Sequence, residues 1–515
     1  MSYKHICLYF LFLLLVPAGG ACIAASQSVV SNNEGEPFSE ATVAQLARQL
    51  AQKPFKESEK APERLTQMDY STYRKINFQQ NAAIWGSSPT KFSIQLFAPG
   101  FLYENLVGID VVESGRAYPV RVTKSSFRVP EPSLAKILAE VGKYAGMRLH
   151  YPINTPDYKD EFIVFQGASY FRAVSRGQVY GMSARGLAID VAQPKGEEYP
   201  LFKKFWIERP STRQEAIVVH ALLDSESVTG AYRFGIYPGA PTRLDVDVHL
   251  FPRSDVEHVG LAPLTSMFMH SPMDEPDKAD YRPAVHDSGA LAIIKGNGEV
   301  LWRPLNNPRK LQISAFMDEQ PQGFGLIQRH RLFGYYQDLE AKYHRRPSAW
   351  VAPQGDWGKG RVELVEIPSD SEANDNIVAY WRPDGGLKKG QPFSYSYRLT
   401  WPDDKMTMAN DVRIVRSACG EKLFADSRQV VIDYRPFSPA DIKNIQVDAG
   451  ISKGRIVESR IQANPPIKGA RVFVNFMPGE AEVAELRVQL KKEGMPVAAT
   501  WLYRYISEKG LLELQ

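Results

Sequence analysis

Arg243-Leu-Asp-Val-Asp-Val-His-Leu250 alternates without a break. Arg243, Asp245, Asp247 and His249 fall on one side, and Leu244, Val246, Val248 and Leu250 on the other. That is the period-two pattern of a β-strand with one wet face and one buried face. Two carboxylates and an imidazole at this spacing also suit a metal ion. A solvated strand face gives the same pattern, and no His-Glu-x-x-His or Cys-x-x-Cys accompanies it, so no metal is expected. Working outward, residues 92–97, 162–165, 216–223 and 231–237 are short strand-like runs divided by Gly, Pro, Asp and Ser turns. Strands in such close succession, without helices between them, predict antiparallel sheets. Two short amphipathic helices decorate them. Residues 42–52 place Val43, Leu46, Ala47 and Leu50 on one face. Residues 133–144 do the same with Leu134, Ile137, Leu138 and Val141, with Ser133 as N-cap and Gly146 as stop.

The chain has 515 residues, 44% of them hydrophobic and 23% charged. Single cores stop growing at about 250–300 residues, so two domains are expected. A formal charge of +4, with no basic run that could follow a phosphate backbone, speaks against nucleic acid as a partner. Residues 1–25 read as a secretory signal: Lys4, an apolar run over 6–16, then small residues over 18–25. The run is shorter than the roughly 20 apolar residues of a spanning helix. Lipid attachment at Cys22 is a minority reading. With Cys7 and Cys22 inside the signal, Cys419 stands alone, and the exported chain must be held by its core rather than by a disulfide.

Residues 393–401 form a strand ending at Trp401, followed by a polar, turn-rich stretch. The boundary is placed there: signal 1–25, large β-sandwich 26–401, linker 402–410, and a small immunoglobulin-like sandwich over 411–515. The last carries short alternating strands at 430–434, 470–476, 484–490 and 500–505.

Between Tyr281 and Trp381, acids, arginines and large aromatics alternate with loop-forming Gly, Pro and Asn. A pyranose presents apolar C–H faces and an equator of hydroxyls, so a site for it needs rigid rings and charged forks. Tyr343, Trp350, Trp357 and Trp381 are the candidate rings. Arg303, Arg346 and Arg361 are the forks, and Asp287, Asp356, Glu372 and Asp375 the carboxylates. No Gly-x-Ser-x-Gly elbow, phosphate loop or dinucleotide fingerprint is present, and no cofactor is expected. Glycoside cleavage by paired carboxyls remains open. Asp287 and Asp375 each stand at a loop-to-strand transition. Residue types alone favour the plainer reading, in which both acids close Asx turns.

The runs Gly167-Ala-Ser-Tyr-Phe-Arg172, Gln178-Val-Tyr-Gly-Met-Ser-Ala-Arg-Gly-Leu-Ala-Ile-Asp190, Phe205-Trp-Ile-Glu-Arg-Pro210, Pro263-Leu-Thr-Ser-Met-Phe268, Trp302-Arg-Pro-Leu-Asn-Asn-Pro308, Gly323-Phe-Gly-Leu326 and Arg346-Pro-Ser-Ala-Trp350 resemble the periplasmic glucan biosynthesis protein G and D family. The resemblance spans nearly the whole mature chain. A signal without twin arginine, and Gly355-Asp-Trp-Gly358, favour the G type. The resemblance implies a galactose-mutarotase-like β-sandwich joined to an immunoglobulin-like domain, a periplasmic location, and inverting endo-β-1,2-glucanase chemistry. By the same resemblance Asp375 matches the general acid and Asp287 the base. Glu372, Tyr343 and Arg346 line the site, and Trp350, Trp381 and Arg303 join them as candidate substrate contacts. A raised pKa is expected for Asp375 from burial and from Glu372 beside it. β-1,2-Glucan is the expected partner, with an inner-membrane glucan synthase as a second. The competing readings are a non-catalytic protein that receives nascent glucan from that synthase, and an epimerase or mutarotase acting on single sugars.

Overall fold

The alternating stretch is part of strand Thr242–Pro252, in which Leu244, Val246, Val248 and Leu250 are buried and Arg243, Asp245, Asp247 and His249 are not. In the computed structural model, which describes residues 35–274, 280–402, 413–421 and 427–507, this strand pairs antiparallel with Val228–Tyr237 and Phe393–Trp401. Its wet face is laced across strands. Arg398 Nε donates to Asp245 at 2.7 Å, Ser396 Oγ to Asp247 at 2.7 Å, and His249 Nδ1 meets Ser394 Oγ at 2.8 Å. The carboxylates and imidazole that suited a metal are thus engaged in cross-strand pairs.

Among the described residues, a 16-stranded sheet faces a 10-stranded one. Between them lies the main core, with Phe165, Phe171, Phe202, Phe205 and Phe234 packed mostly edge to face. Each such ring contributes about 1.5–3 kcal/mol by leaving water. The fold is mainly β, with a large sandwich followed by a small one. Helix Glu40–Ala51 lies on the outside of the large sheet and buries Val43 and Ala47, while Leu46 stays 37% exposed. The second helix, Pro132–Val141, starts and stops earlier than its periodicity suggested. Glu131, not Ser133, is the N-cap, because Pro132 presets the first helical φ. Gly142, not Gly146, ends it at φ 68°. Gly146 opens strand Gly146–Thr155, where a Cβ would collide with the Phe165 carbonyl.

Strand Phe393–Trp401 ends where the boundary was expected. The signal over 1–25, Cys22, and the linker 402–410 apart from Pro402 lie outside the described residues. Beyond it, Arg413–Glu421, Arg428–Arg435, Gly469–Met477 and Arg455–Asn464 form a four-stranded sheet, and Cys419 sits half-buried on the first of these. The facing layer of the small sandwich is not a sheet of its own. Thr500–Ile506 joins the large sheet by a parallel contact of Thr500 and Trp501 with Leu301 and Trp302. Val483–Lys492 and Gln446–Ile451 follow outward. The second core accordingly mixes Ala290, Ala292, Trp302 and Ile327 from the large sandwich with Val430, Val472, Leu486, Val488 and Trp501 from the small one.

A shared sheet and core make the two sandwiches one cooperative unit. Calorimetry on the whole chain should show a single transition. Trp501→Ala, removing a fully buried ring whose Nε1 donates to Ser417 Oγ at 3.0 Å, should cost about 3–5 kcal/mol in urea unfolding. Two separable transitions, with only the smaller affected, would mean that the seam carries no coupling.

Candidate active site

Asn376, 2% exposed, stands between Asp375 and strand Ile377–Pro383. Its Oδ1 accepts from Phe268 N at 2.8 Å, and its Nδ2 donates to Phe268 O at 2.9 Å and Ile367 O at 3.1 Å. Phe268 in turn pairs with His286 in a two-stranded ribbon and stacks on its ring at 5.4 Å. Asp287 follows directly, its N–H donating to Met267 O at 2.8 Å. One buried amide therefore fixes the backbone next to Asp375 against the strand that backs Asp287, although 88 positions separate the two acids in the chain.

Asp287, with 5% of its side chain exposed, is paired with Arg346. Arg346 lies over the Tyr343 ring at 4.4 Å from its centroid, and its Nε donates to Ala341 O at 3.1 Å. Tyr343 OH donates to Glu372 Oε2 at 2.7 Å. The same oxygen accepts from Arg282 Nη1 at 2.9 Å, and that guanidinium also holds Asp338 at 2.9 Å and Asp280. On the opposite side, Arg172 Nη2 approaches Asp375 Oδ2 at 3.4 Å, while its Nε donates to Ser183 Oγ at 2.6 Å. Tyr170 lies near enough for Asp375 and Arg172 both to act on its hydroxyl.

The electrostatics show that the acids share one environment. Burial pushes Asp287 up to about 6, against the opposing charge of Arg346, with Asp375 raising it further and Arg172 lowering it. Asp375 is also raised, chiefly by desolvation, with Arg172 and Arg346 opposing. Its side chain keeps 27% of its surface. Each arginine acts on both carboxyls. Glu372 does not add to the rise at Asp375, contrary to expectation, because its own charge is taken up by Arg282 and Tyr343. His286 is fully enclosed, and burial holds its imidazole down at about 3, so it is neutral.

Of the residues singled out by sequence, Asp287, Asp375, Glu372, Tyr343 and Arg346 come together. Trp381, Trp350 and Arg303 do not. Trp381 is completely buried in the main core, because its position in strand Ile377–Pro383 points it inward. Trp357, which packs edge-on to Tyr395 and Tyr397, is likewise a core ring. The Trp350 indole lies flat on Gly323 and Gly325, where any Cβ would strike it, and packs against the second core. Arg303 is 2% exposed and forms an internal ion pair with Glu366 at 3.2 Å. Asp356 closes a turn onto Gly358 N at 2.7 Å, and Arg361 binds Glu363 at 2.8 Å, both away from the acids. Arg172, Arg282 and Asn376 escaped the sequence reading. Only Asn376 carried a local signal, in Asn374-Asp-Asn376. Tyr281, next to Arg282 in the chain, is 75% exposed, and Leu339, next to Asp338, is 77% exposed.

Two sandwiches sharing a sheet, with a pair of carboxyls raised by desolvation between two shared arginines, define a β-sandwich protein with an acid-pair site. The family model described as periplasmic glucan biosynthesis protein, MdoG, matches residues 38–505, and the chain belongs to that family. It is 64% identical over 502 residues to glucans biosynthesis protein G 2 of Shewanella oneidensis, covering 98% of this chain and 94% of that protein. It is 46% identical over 474 residues to glucans biosynthesis protein G of Vibrio cholerae, covering 91% and 87%. These relatives carry the G designation expected from the sequence. Among solved structures, a galactose mutarotase related enzyme from Lactobacillus acidophilus is similar over 47% of this chain and 98% of that one, at 9% identity and a TM-score of 0.21. No helix among the described residues is long and apolar enough to cross a membrane.

Two outcomes are expected. Asp287 has a folded pKa of about 6 against an ordinary 3.8. Its contribution to stability is therefore present below about pH 3.8 and lost as pH rises through about 6. Urea unfolding across pH should show the native protein losing on the order of 3 kcal/mol relative to Asp287→Asn between about pH 4 and pH 7. A difference that stays level would remove the desolvation. Asn376→Ala leaves the Phe268 N–H and carbonyl without their partner and should cost about 1–3 kcal/mol in the same measurement.

Proposed function

We propose that this protein is a periplasmic enzyme that cleaves or transfers the β-1,2-linked glucose backbone of a glucan with inversion at the anomeric carbon. Asp375 serves as general acid and Asp287 as general base. The observation that carries this reading is the convergence of two acids from distant parts of the chain on shared arginines, both held above the ordinary carboxyl range by desolvation. Asp375, the more open of the two, gives its proton to the glycosidic oxygen as that bond to the anomeric carbon breaks. Asp287 takes a proton, directly or through a hydroxyl, from the water whose oxygen bonds to the same carbon from the opposite face. A base titrating at about 6 is mostly ionised at neutral pH. Tyr343, positioned between Arg346 and Glu372, fits a role in orienting the sugar. The exposed side chains of Tyr281 and Leu339 suit the C–H faces of neighbouring glucose units.

The family name and the relatives supply the glucan and the periplasm. Residues 1–25 then act as the export signal, and a membrane glucan synthase is the source of the polymer. A second reading has support in one contact: Arg346 is closed over Asp287, an arrangement that suits holding a glucan without cutting it.

Incubation with linear β-1,2-glucan decides between them. The enzyme releases new reducing ends, and both Asp375→Asn and Asp287→Asn lower that rate by at least about a hundredfold while glucan binding persists. Binding with polymer length unchanged would leave only the holding protein. Arg172 lowers the Asp375 pKa, so Arg172→Gln should raise it and move the alkaline limb of the pH–rate profile to higher pH. A limb that does not move would mean that Asp375 is not the acid.

A further inference from the structure

A partly open cavity lies on the seam between the large sandwich and the first strand of the small one. Arg329, His330, Tyr335 and His286 line it from one side, and Arg416 and Ser417 from the other. His286 lines this cavity, while the next residue, Asp287, just past the end of the strand, pairs with Arg346 in the acid site.

Among the described residues, positive charge around the cavity outweighs negative charge. Arg329 stacks on Trp302 at 4.0 Å from the ring centroid and, among the described residues, donates to a neutral acceptor, Ile414 O. Burial lowers its pKa, and so do Arg413 and Arg435, whose charges act on it. Among the described residues, none of Arg329, Arg413 and Arg435 has a carboxylate partner, and Arg416 reaches Asp433 only at 4.0 Å. Asp433 is already gripped by Arg471 at 2.7 and 2.9 Å. Asp274, the other acid near Tyr335, is tied to the Ser271 N–H and hydroxyl, both at 3.0 Å, and burial raises it to about 7. Two uncommitted donors complete the lining. Ser417 Oγ accepts from Trp501 Nε1 at 3.0 Å, leaving its own proton to give. His286, 1% exposed, has a ring in which neither nitrogen has a hydrogen-bond partner.

Like charges gathered in a partly enclosed space are costly unless an anion joins them. Guanidinium forks match the oxygens of tetrahedral oxyanions better than any other side chain does. We infer that this seam cavity is a binding site for a small tetrahedral oxyanion of the phosphate class, held by Arg329 and Arg416 with Ser417 and a ring nitrogen of His286. The site joins both sandwiches through a single ligand. It is independent of what occupies the acid site.

The test uses the whole mature chain with inorganic phosphate as the probe. Phosphate should raise the unfolding temperature saturably, beyond sodium chloride of matched ionic strength, and titration calorimetry should return one site. Arg329→Gln and Arg416→Gln should each weaken that site at least about tenfold. Arg329 is the more enclosed, so Arg416→Gln, at a side chain 43% exposed, decides the matter if the other variant does not fold. No rise beyond that given by chloride would overturn the proposal. So would binding undiminished in Arg416→Gln, because the phosphate would then lie elsewhere, at the arginines of the acid site for example.

Discussion

The arrangement of this protein's chemistry depends on one buried side-chain amide. Asn376 returns both backbone hydrogen bonds of Phe268, much as a neighbouring strand would, and by doing so joins the ribbon before Asp287 to the strand after Asp375. Sheet pairing brings the segments close, since Ser266 pairs with Ile377, but Phe268–His270 and Val285–His286 form a small ribbon apart from both large sheets, and Asn376 carries the contact on into it. An amide has a donor and an acceptor on one rigid plane. Buried as it is, each bond it makes satisfies a backbone group that burial has taken from solvent.

Around that joint the charges are ordered by burial. Asp287 is enclosed, Asp375 keeps more of its surface, and Glu372, with 47% of its side chain exposed, is held by Arg282 and Tyr343. Arg172 and Arg346 limit how far the two acids rise, and each acts on both. The outcome is a pair of carboxyls with shifted and unequal environments. Acid–base chemistry on a polymer near neutral pH calls for such a pair.

The seam between the sandwiches shows the same economy of sheet and charge. The small sandwich borrows its second layer from the large sheet, and the cavity left at the joint collects arginines from both sides. Its wall and the acid site are served by successive residues of the chain, His286 at the end of a strand and Asp287 just beyond it. A change in either space is therefore one peptide away from the other.

What could be read from the chain follows from periodicity. Alternation over 243–250, the turn spacing of the other strands and the break after Trp401 are local signals, because a strand's two faces differ every second residue. The long family-like runs added the identity of the two acids. Local patterns could not say which aromatics face the site. Trp350 and Trp381 have the residue type of a sugar platform, yet one lies on the glycines of a neighbouring strand and the other is sealed in the core. Arg303 likewise has the fork but spends it on Glu366 inside the protein. Nor could they reveal Arg172 and Arg282, which reach the site from 203 and 90 positions away from the carboxylates they meet. The sequence by itself determined the class of fold and the candidate acids, since strand period and residue chemistry are properties of neighbours in the chain. The tertiary structure alone decided which charges share a space, because desolvation and Coulomb coupling depend on distance through the folded protein and not along the backbone.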